Sequence, residues 1–402
     1  MASSTQSSRA SIAIAGFQKR LDAAVIRITD AEARVLDVPL TAPFTIASSR
    51  LEFVRNVAIR VELEDGSVGW GEAPILPSVT AEDQPTALTK ALEACAMLER
   101  STAAMSSLSF LRQVSGLLPG HEFASVRSGM EMAVVDAVAH SLAIPLWQLF
   151  GGHGDSIITD ITIPICSPGE AGLLATEYAQ RGFLTIKTKI GGRNLCDDIA
   201  MLNAICNNHP SCSLILDANG GYNADEALDI LQQLHEEGLT PALLEQPVKR
   251  DDWKGLNHVA KGARDLYGVS IAADESCRSV KDAARIIEEG LVDVVNIKLS
   301  KMGVLAALEV VAMVEQAGLQ LMIGGMVETR LAMGFAAHMA AGLSCFRFVD
   351  LDTPLLLAND PVQGGYHANG PIYSLGTGSG HGGSLLWLAP SDTKSKCVPL
   401  QK

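Results

Sequence analysis

From about residue 160 onward the sequence repeats itself in texture rather than in letters. Eight short β-rich runs (161–163, 185–189, 214–217, 243–245, 270–274, 294–298, 320–323 and 346–350) are each followed by a helical pattern. Their centres lie about 23 to 30 residues apart, the length that a strand, a loop and a helix of three or so turns consume. Eight such units predict a closed parallel barrel. An open doubly wound sheet is the alternative, though it rarely needs eight consecutive units of such even spacing. The expected class is α/β: a (β/α)8-type barrel with an α+β capping domain.

The capping domain is expected over 25–150 and the barrel over 151–352. Residues 31–74 read as an antiparallel meander, in which Val57, Ile59, Val61 and Leu63 alternate with Ala58, Arg60 and Glu62. Asp65-Gly66 supplies a hairpin turn before Val68-Gly69-Trp70-Gly71. Helical stretches follow over 82–116 and 126–149, the second with Met130, Val134, Val138 and Leu142 as one apolar stripe. Residues 353–402 are expected to return to the capping domain and end in a flexible Gly/Ser-rich tail. That tail contains Gly378-Ser-Gly-His-Gly-Gly383, a formal dinucleotide fingerprint, but no strand precedes it and no helix follows, so it reads as a loop. Residues 1–24, with Arg9, Lys19 and Arg20 and no acid before Asp22, read as a disordered leader or a transit segment.

A formal net charge of −14 argues against nucleic acid as a partner, because phosphate binding needs a basic surface. No apolar run reaches the roughly 20 residues of a membrane span; 332–346 is short, carries His338 and reads as a buried helix. The eight cysteines contain no CxxC pair, which fits reduced thiols rather than a disulfide framework or a zinc site. The expected location is the cytoplasm, or a plastid or other organelle if the Ser-rich N-terminus is a transit peptide.

In a barrel of this kind, polar residues at strand C-termini face the active site. Here those ends carry Lys187 and Lys189, Asp217 and Asn219, Glu245, Asp274, Lys298, and Asp350 and Asp352. Asp217, Glu245 and Asp274 put one carboxylate on each of three neighbouring strands. Converging anions repel one another unless a cation lies between them, and an all-oxygen set without histidine suits one Mg²⁺ rather than zinc. Lys187 and Lys189, two apart on a strand, share a face, and their like charges leave one amine able to act as a base. Lys298 lies four units further round, across the barrel. A substrate at the metal would have an amine on each face: one removes the proton beside a carboxylate or amide carbonyl, the other returns it, and the stereocentre inverts. Lys298 could instead be a lining lysine that only neutralises carboxylates. Asp350 and Asp352 suit a substrate ammonium group, or else a loop cap or interdomain salt bridge.

At these residues the sequence resembles the enolase superfamily, specifically its muconate lactonizing subgroup. The resemblance rests on Lys187-Thr-Lys189, Asp217-Ala-Asn219, Glu245-Gln-Pro247, Asp274-Glu-Ser276 and Asn296-Ile-Lys298-Leu299, and runs from about residue 25 to 375. The segment Pro145-Leu-Trp-Gln-Leu-Phe-Gly-Gly152 looks like that family's junction between capping domain and barrel. Asp350-Leu-Asp352 is similar to the dipeptide epimerases within the subgroup. The resemblance implies that Lys189 and Lys298 are the acid/base pair and that Lys187 tunes Lys189 and touches the substrate carboxylate. It further implies that Asp350 and Asp352 hold the dipeptide's α-ammonium, and that Thr162 and the backbone near Gly325 and Val327 contact the substrate. In the capping loop over 44–54, Arg50 either binds a glutamate side chain of the second residue or leaves the pocket to an apolar one. A homo-oligomer is expected.

Other reactions on the same scaffold (cycloisomerisation, o-succinylbenzoate synthesis, N-acylamino acid racemisation) give no reason for Asp350 and Asp352. Acid-sugar dehydration calls for a histidine near the seventh strand, where Ile323-Gly-Gly-Met326 stands. A barrel that only binds a metal or ligand would not need both lysines and all three carboxylates.

Overall fold

The computed structural model describes residues 8–46, 49–76, 79–100, 103–191 and 194–386. The described residues open with helix α1 (Arg9–Ala23), capped by the Ser8 side chain. Ala10, Ala13, Ile14, Phe17 and Leu21 recur at helical spacing and are buried, and Phe17 stacks on Phe150 with ring centroids 4.9 Å apart. The disordered leader expected over 1–24 is therefore corrected over the helix. Its basic residues lie on the solvent side of an ordinary 3.6-residue apolar stripe.

Strands β1 (Ile28–Ile46), β2 (Ser49–Leu63) and β3 (Val68–Ala73) form the antiparallel capping sheet. The turn at Asp65-Gly66 is closed by the Asp65 carboxylate accepting from Ser67 N at 2.9 Å, with Gly66 at φ +83°. Helices α2 (Gln84–Arg100), α3 (Ser107–Leu117) and α4 (Ala124–Ser141) complete the domain, so the first predicted helical stretch is two helices. Helix α4 is buried almost all round rather than along one stripe, and Leu142 lies just past its end, half exposed. The reason is close approach: a Cβ on Gly69 or Gly71 would run into the backbone of α4 at Ala133 and Gly129, so only glycines let β3 lie against it.

Eight parallel strands then follow in strict sequence order: β4 (Ile161–Ile163), β5 (Thr185–Lys189), β6 (Ser213–Asp217), β7 (Leu243–Glu245), β8 (Ser270–Ala273), β9 (Val294–Ile297), β10 (Gln320–Gly324) and β11 (Phe348–Asp350). Asp160 N donates to Val349 O at 3.0 Å, joining the first strand to the last, and no strand-order reversal of an open doubly wound sheet occurs. Ile215, Leu243, Ala272, Val294, Met322 and Phe348 pack together inside as an apolar plug. Side chains two residues later point to the same interior. The pleat therefore carries Asp217, Glu245, Asp274, Asn296, Gly324 and Asp350 into the layer above the plug.

The chain after the barrel returns to the cap. Gly380 N donates to Ile144 O at 3.0 Å, His381 is buried against Trp70 and Asp136, and Gly383–Ser384 pairs with Gln363–Gly364. The flexible Gly/Ser-rich tail expected around residues 378–383 is thus corrected up to residue 386; residues 387–402 lie outside the described residues.

Candidate active site

β5 delivers Lys187 and Lys189 to the interior, both buried. Lys187 Nζ lies 2.6 Å from Asp350 Oδ2, 2.8 Å from Glu245 Oε2 and 3.1 Å from Asp217 Oδ2. Burial opposes its charge, but Asp350, Glu245 and Asp217 hold the ammonium well above the ordinary lysine range. Lys187 is therefore held as a cation. Lys189 Nζ meets Asp217 Oδ2 at 2.5 Å.

Opposite, Lys298 follows β9 and lies 2.7 Å from Asp274 Oδ2. Burial lowers its pKa, yet Asp274 raises it overall. The other Asp274 oxygen accepts from Lys301 at 2.7 Å, and Lys301 also donates to Asp274 O and Asn296 O. Asn296 Nδ2 in turn donates to Glu245 Oε1 at 2.6 Å.

Asp217, Glu245 and Asp274 are all fully buried. Burial alone would raise the Asp217 carboxyl, but Lys189, Lys187 and Lys298 bring it down to about 2. Glu245 is pushed up to about 7, first by burial and then by the charge of Asp217. A buried oxygen-only set of this kind, in which burial and a neighbouring carboxylate oppose the charge of Glu245, fits a hard divalent cation such as Mg²⁺. Among the described residues, the acidic oxygens that all come within 4.8 Å of one another belong to Asp160, Asp350 and Asp352. The expected triad is held more openly, because Lys187 and Lys189 draw Asp217 one way while Lys298 and Lys301 draw Asp274 the other.

Asp352 Oδ2 accepts from Thr162 N at 2.6 Å, which sets β4 beside the strand-eight acids. Burial, then Asp350, push the Asp352 carboxyl up to about 7. Thr162, Lys189, Lys298, Gly325, Val327, Asp350 and Asp352 line one cleft. Arg50 does not join them. It pairs with Thr45, next to the Phe44–Leu51 pair whose side chains turn inward, so the pleat sends Arg50 outward. Its side chain is 63% exposed and lies 3.9 Å from Glu52.

Several residues were given no role in the sequence reading, although Gln246 and Asn296 stood inside its motifs. Asp160 and Asn296 could have been found from the same period of two, being two positions before Thr162 and Lys298. Lys301 sits beyond its strand and left no signal. Gln246, at φ +39°, accepts from Asp274 N and Ser276 N at 3.0 Å each and fixes the loop after β8. From the cap, Glu72 accepts from Thr329 N and Oγ1, while Asn56 Nδ2 donates to Glu72 and to Val327 O at 2.7 and 3.0 Å. Those two buried side chains hold the loop after β10 in place.

The chain is also similar to known proteins over most of its length. The description "Mandelate racemase / muconate lactonizing enzyme, N-terminal domain" matches residues 30–151, and "Enolase C-terminal domain-like" matches 171–387. An L-Ala-D/L-amino acid epimerase from Populus trichocarpa is 59% identical over 371 residues, which cover 92% of this chain and 88% of that protein. The chain belongs to the dipeptide epimerases of the enolase superfamily. An aromatic dipeptide epimerase from Herpetosiphon aurantiacus is 39% identical, covering 88% of this chain and 97% of the relative. The substrate-liganded L-Ala-D/L-Glu epimerase of Bacillus subtilis superposes with a TM-score of 0.84 at 32% identity, covering 90% of this chain and all of that one. The Enterococcus faecalis dipeptide epimerase complexed with Mg and L-Leu-L-Tyr gives 0.80 at 31%, covering 89% and 99%. Among the described residues no helix is long and apolar enough to cross a membrane.

Proposed function

We propose that the chain inverts the α-carbon of the second residue of a dipeptide, L-Ala-L-Xaa to L-Ala-D-Xaa, by proton transfer between Lys189 and Lys298. The observation that carries this reading is their placement: β5 and β9 are four strands apart in an eight-stranded barrel, with the carboxylates of β6 to β8 between them. Asp217, Glu245 and Asp274 would hold Mg²⁺. When bound, it supplies electrostatic stabilisation of the negative charge that develops as the α-proton leaves. Lys187, fixed as a cation, attracts the substrate carboxylate. Asp350 and Asp352 take the free α-ammonium, whose charge answers a buried acidic pair that meets Lys187 through Asp350 at 2.6 Å. With both ends held, the α-carbon lies between the two amines; one takes the proton and the other delivers one from the opposite side.

Incubation of the full chain with Mg²⁺ and L-Ala-L-Xaa dipeptides in D₂O should place deuterium at the second residue's α-carbon and produce both epimers. Lys189→Ala and Lys298→Ala should each lose inversion by at least about 10³-fold, yet each should still exchange the α-proton of one epimer, a different one in each variant. Exchange of both epimers by a single-lysine variant would defeat the two-base reading. The reading includes a homo-oligomer, which light scattering on the purified chain reads directly.

A further inference from the structure

The reacting α-carbon has four substituents, and the epimerase reading above gives three of them a direction. On that reading the proton would face a lysine, the carboxylate would face the cation that Asp217, Glu245 and Asp274 would hold, and the amide nitrogen would lead toward Asp350 and Asp352. The side chain is left to point out of the barrel mouth toward the cap. There the cleft is walled by Phe44, Leu76, Val79 and Met326. Leu76, Val79 and Met326 pack into one apolar cluster, joined by Leu51. The wall is preformed: Val79 N and Thr80 N both donate to Leu76 O at 2.7 Å, and Leu76 N donates to Thr80 Oγ1. The hairpin that carries Phe44 is tied to the barrel by Ile165 N donating to Thr45 O at 3.2 Å.

We infer that the second residue of the dipeptide is apolar, an aliphatic or aromatic side chain received by Phe44, Leu76, Val79 and Met326, and that Arg50 has no part in its selection. This inference rests on the epimerase reading above. Among the described residues, the only cations lining the cleft are Lys189 and Lys298, and each is already paired with an acid. A glutamate side chain on the substrate would enter apolar surroundings without a counter-charge. Arg50, on the outward face of its strand, cannot supply one without reversing the hairpin's pleat. An apolar wall also suits the reaction itself. The side chain must shift as the centre inverts, and a non-directional contact accepts both epimers, whereas a fixed salt bridge would favour one.

The test compares kcat/KM of the full chain, with Mg²⁺, for L-Ala-L-Leu, L-Ala-L-Phe and L-Ala-L-Glu. The two apolar dipeptides should be preferred by about tenfold or more. Arg50→Ala should leave the Leu-to-Glu ratio within about twofold, because differences outside the pocket act on neither substrate selectively. Val79→Arg should lower the ratio toward or past unity. If that variant fails to fold, Met326→Lys tests the same wall from the barrel side. Preference for L-Ala-L-Glu in the parent chain, lost in Arg50→Ala, would overturn the inference while leaving epimerisation intact. No α-proton exchange with any dipeptide would instead overturn the reaction on which it rests.

Discussion

The barrel mouth and the capping hairpin face the same cleft but are built on opposite principles. At the mouth, Lys187, Lys189, Lys298 and Lys301 interleave with Asp217, Glu245, Asp274 and Asp350 at 2.5 to 3.1 Å, and each charge fixes its neighbours. On the cap side, Phe44, Leu76 and Val79 offer shape without direction. Directional groups define what is done to the α-carbon, because a displaced charge changes the chemistry. Non-directional groups define which side chain is admitted, and they can be exchanged without touching the reaction. The two surfaces meet at Asn56 and Glu72, where the cap grips the loop after β10.

If that division is right, the largest losses follow substitution at the mouth. Glu245→Gln removes one acidic oxygen ligand and should lower turnover by about 10²- to 10³-fold, with Mg²⁺ affinity, read by calorimetry, falling alongside and circular dichroism unchanged. Retained turnover would move the metal away from this set. A smaller effect is expected at the junction. Asn56→Ala strips partners from Glu72, Ile75 N and Val327 O inside the protein, at a cost of about 1–3 kcal/mol of stability. KM should rise more than kcat falls, since the reacting groups are untouched; an equal fall in both would place Asn56 with the chemistry instead.

The smallest effect lies outside both surfaces. His338 is buried and accepts from Trp147 N through Nδ1 at 3.1 Å; burial and then His381 depress its pKa from 6.5 to about 3. The folded state therefore prefers the neutral ring. The stability this gives is fully present above pH 6.5 and is lost progressively as pH falls from there toward 3. Thermal melts of His338→Gln should show a flatter profile over that window, while epimerisation at neutral pH stays as in the parent. A parallel loss of activity would link this joint to the cleft.

The barrel and its charged strand ends were legible in the sequence because a period of two and a repeat near 26 residues are both written along the chain. Asp217, Glu245 and Asp274 stand out since each interrupts an apolar strand at the same step. The hairpin at Asp65-Gly66 was legible for a local reason, turn chemistry. The cap's contribution to the cleft was not, because Phe44, Leu76 and Val79 are ordinary apolar residues whose meaning comes from long-range docking. Arg50 illustrates the same limit: its charge was conspicuous, but the side it faces depends on a strand register that the loop composition does not state. Helix α1 hid behind its basic residues, and the ordered stretch up to residue 386 hid behind its glycines, several of which take the left-handed turns that the return path to the cap requires.

The apolar plug formed by Ile215, Leu243, Ala272, Val294, Met322 and Phe348 has a kinetic consequence. It makes the barrel a blind well, stoppered at the floor, so the dipeptide and its epimer share a single doorway. That doorway is roofed by the hairpin carrying Phe44 and by the turn carrying Leu76 and Val79. Departure of one epimer and arrival of the next must therefore take turns.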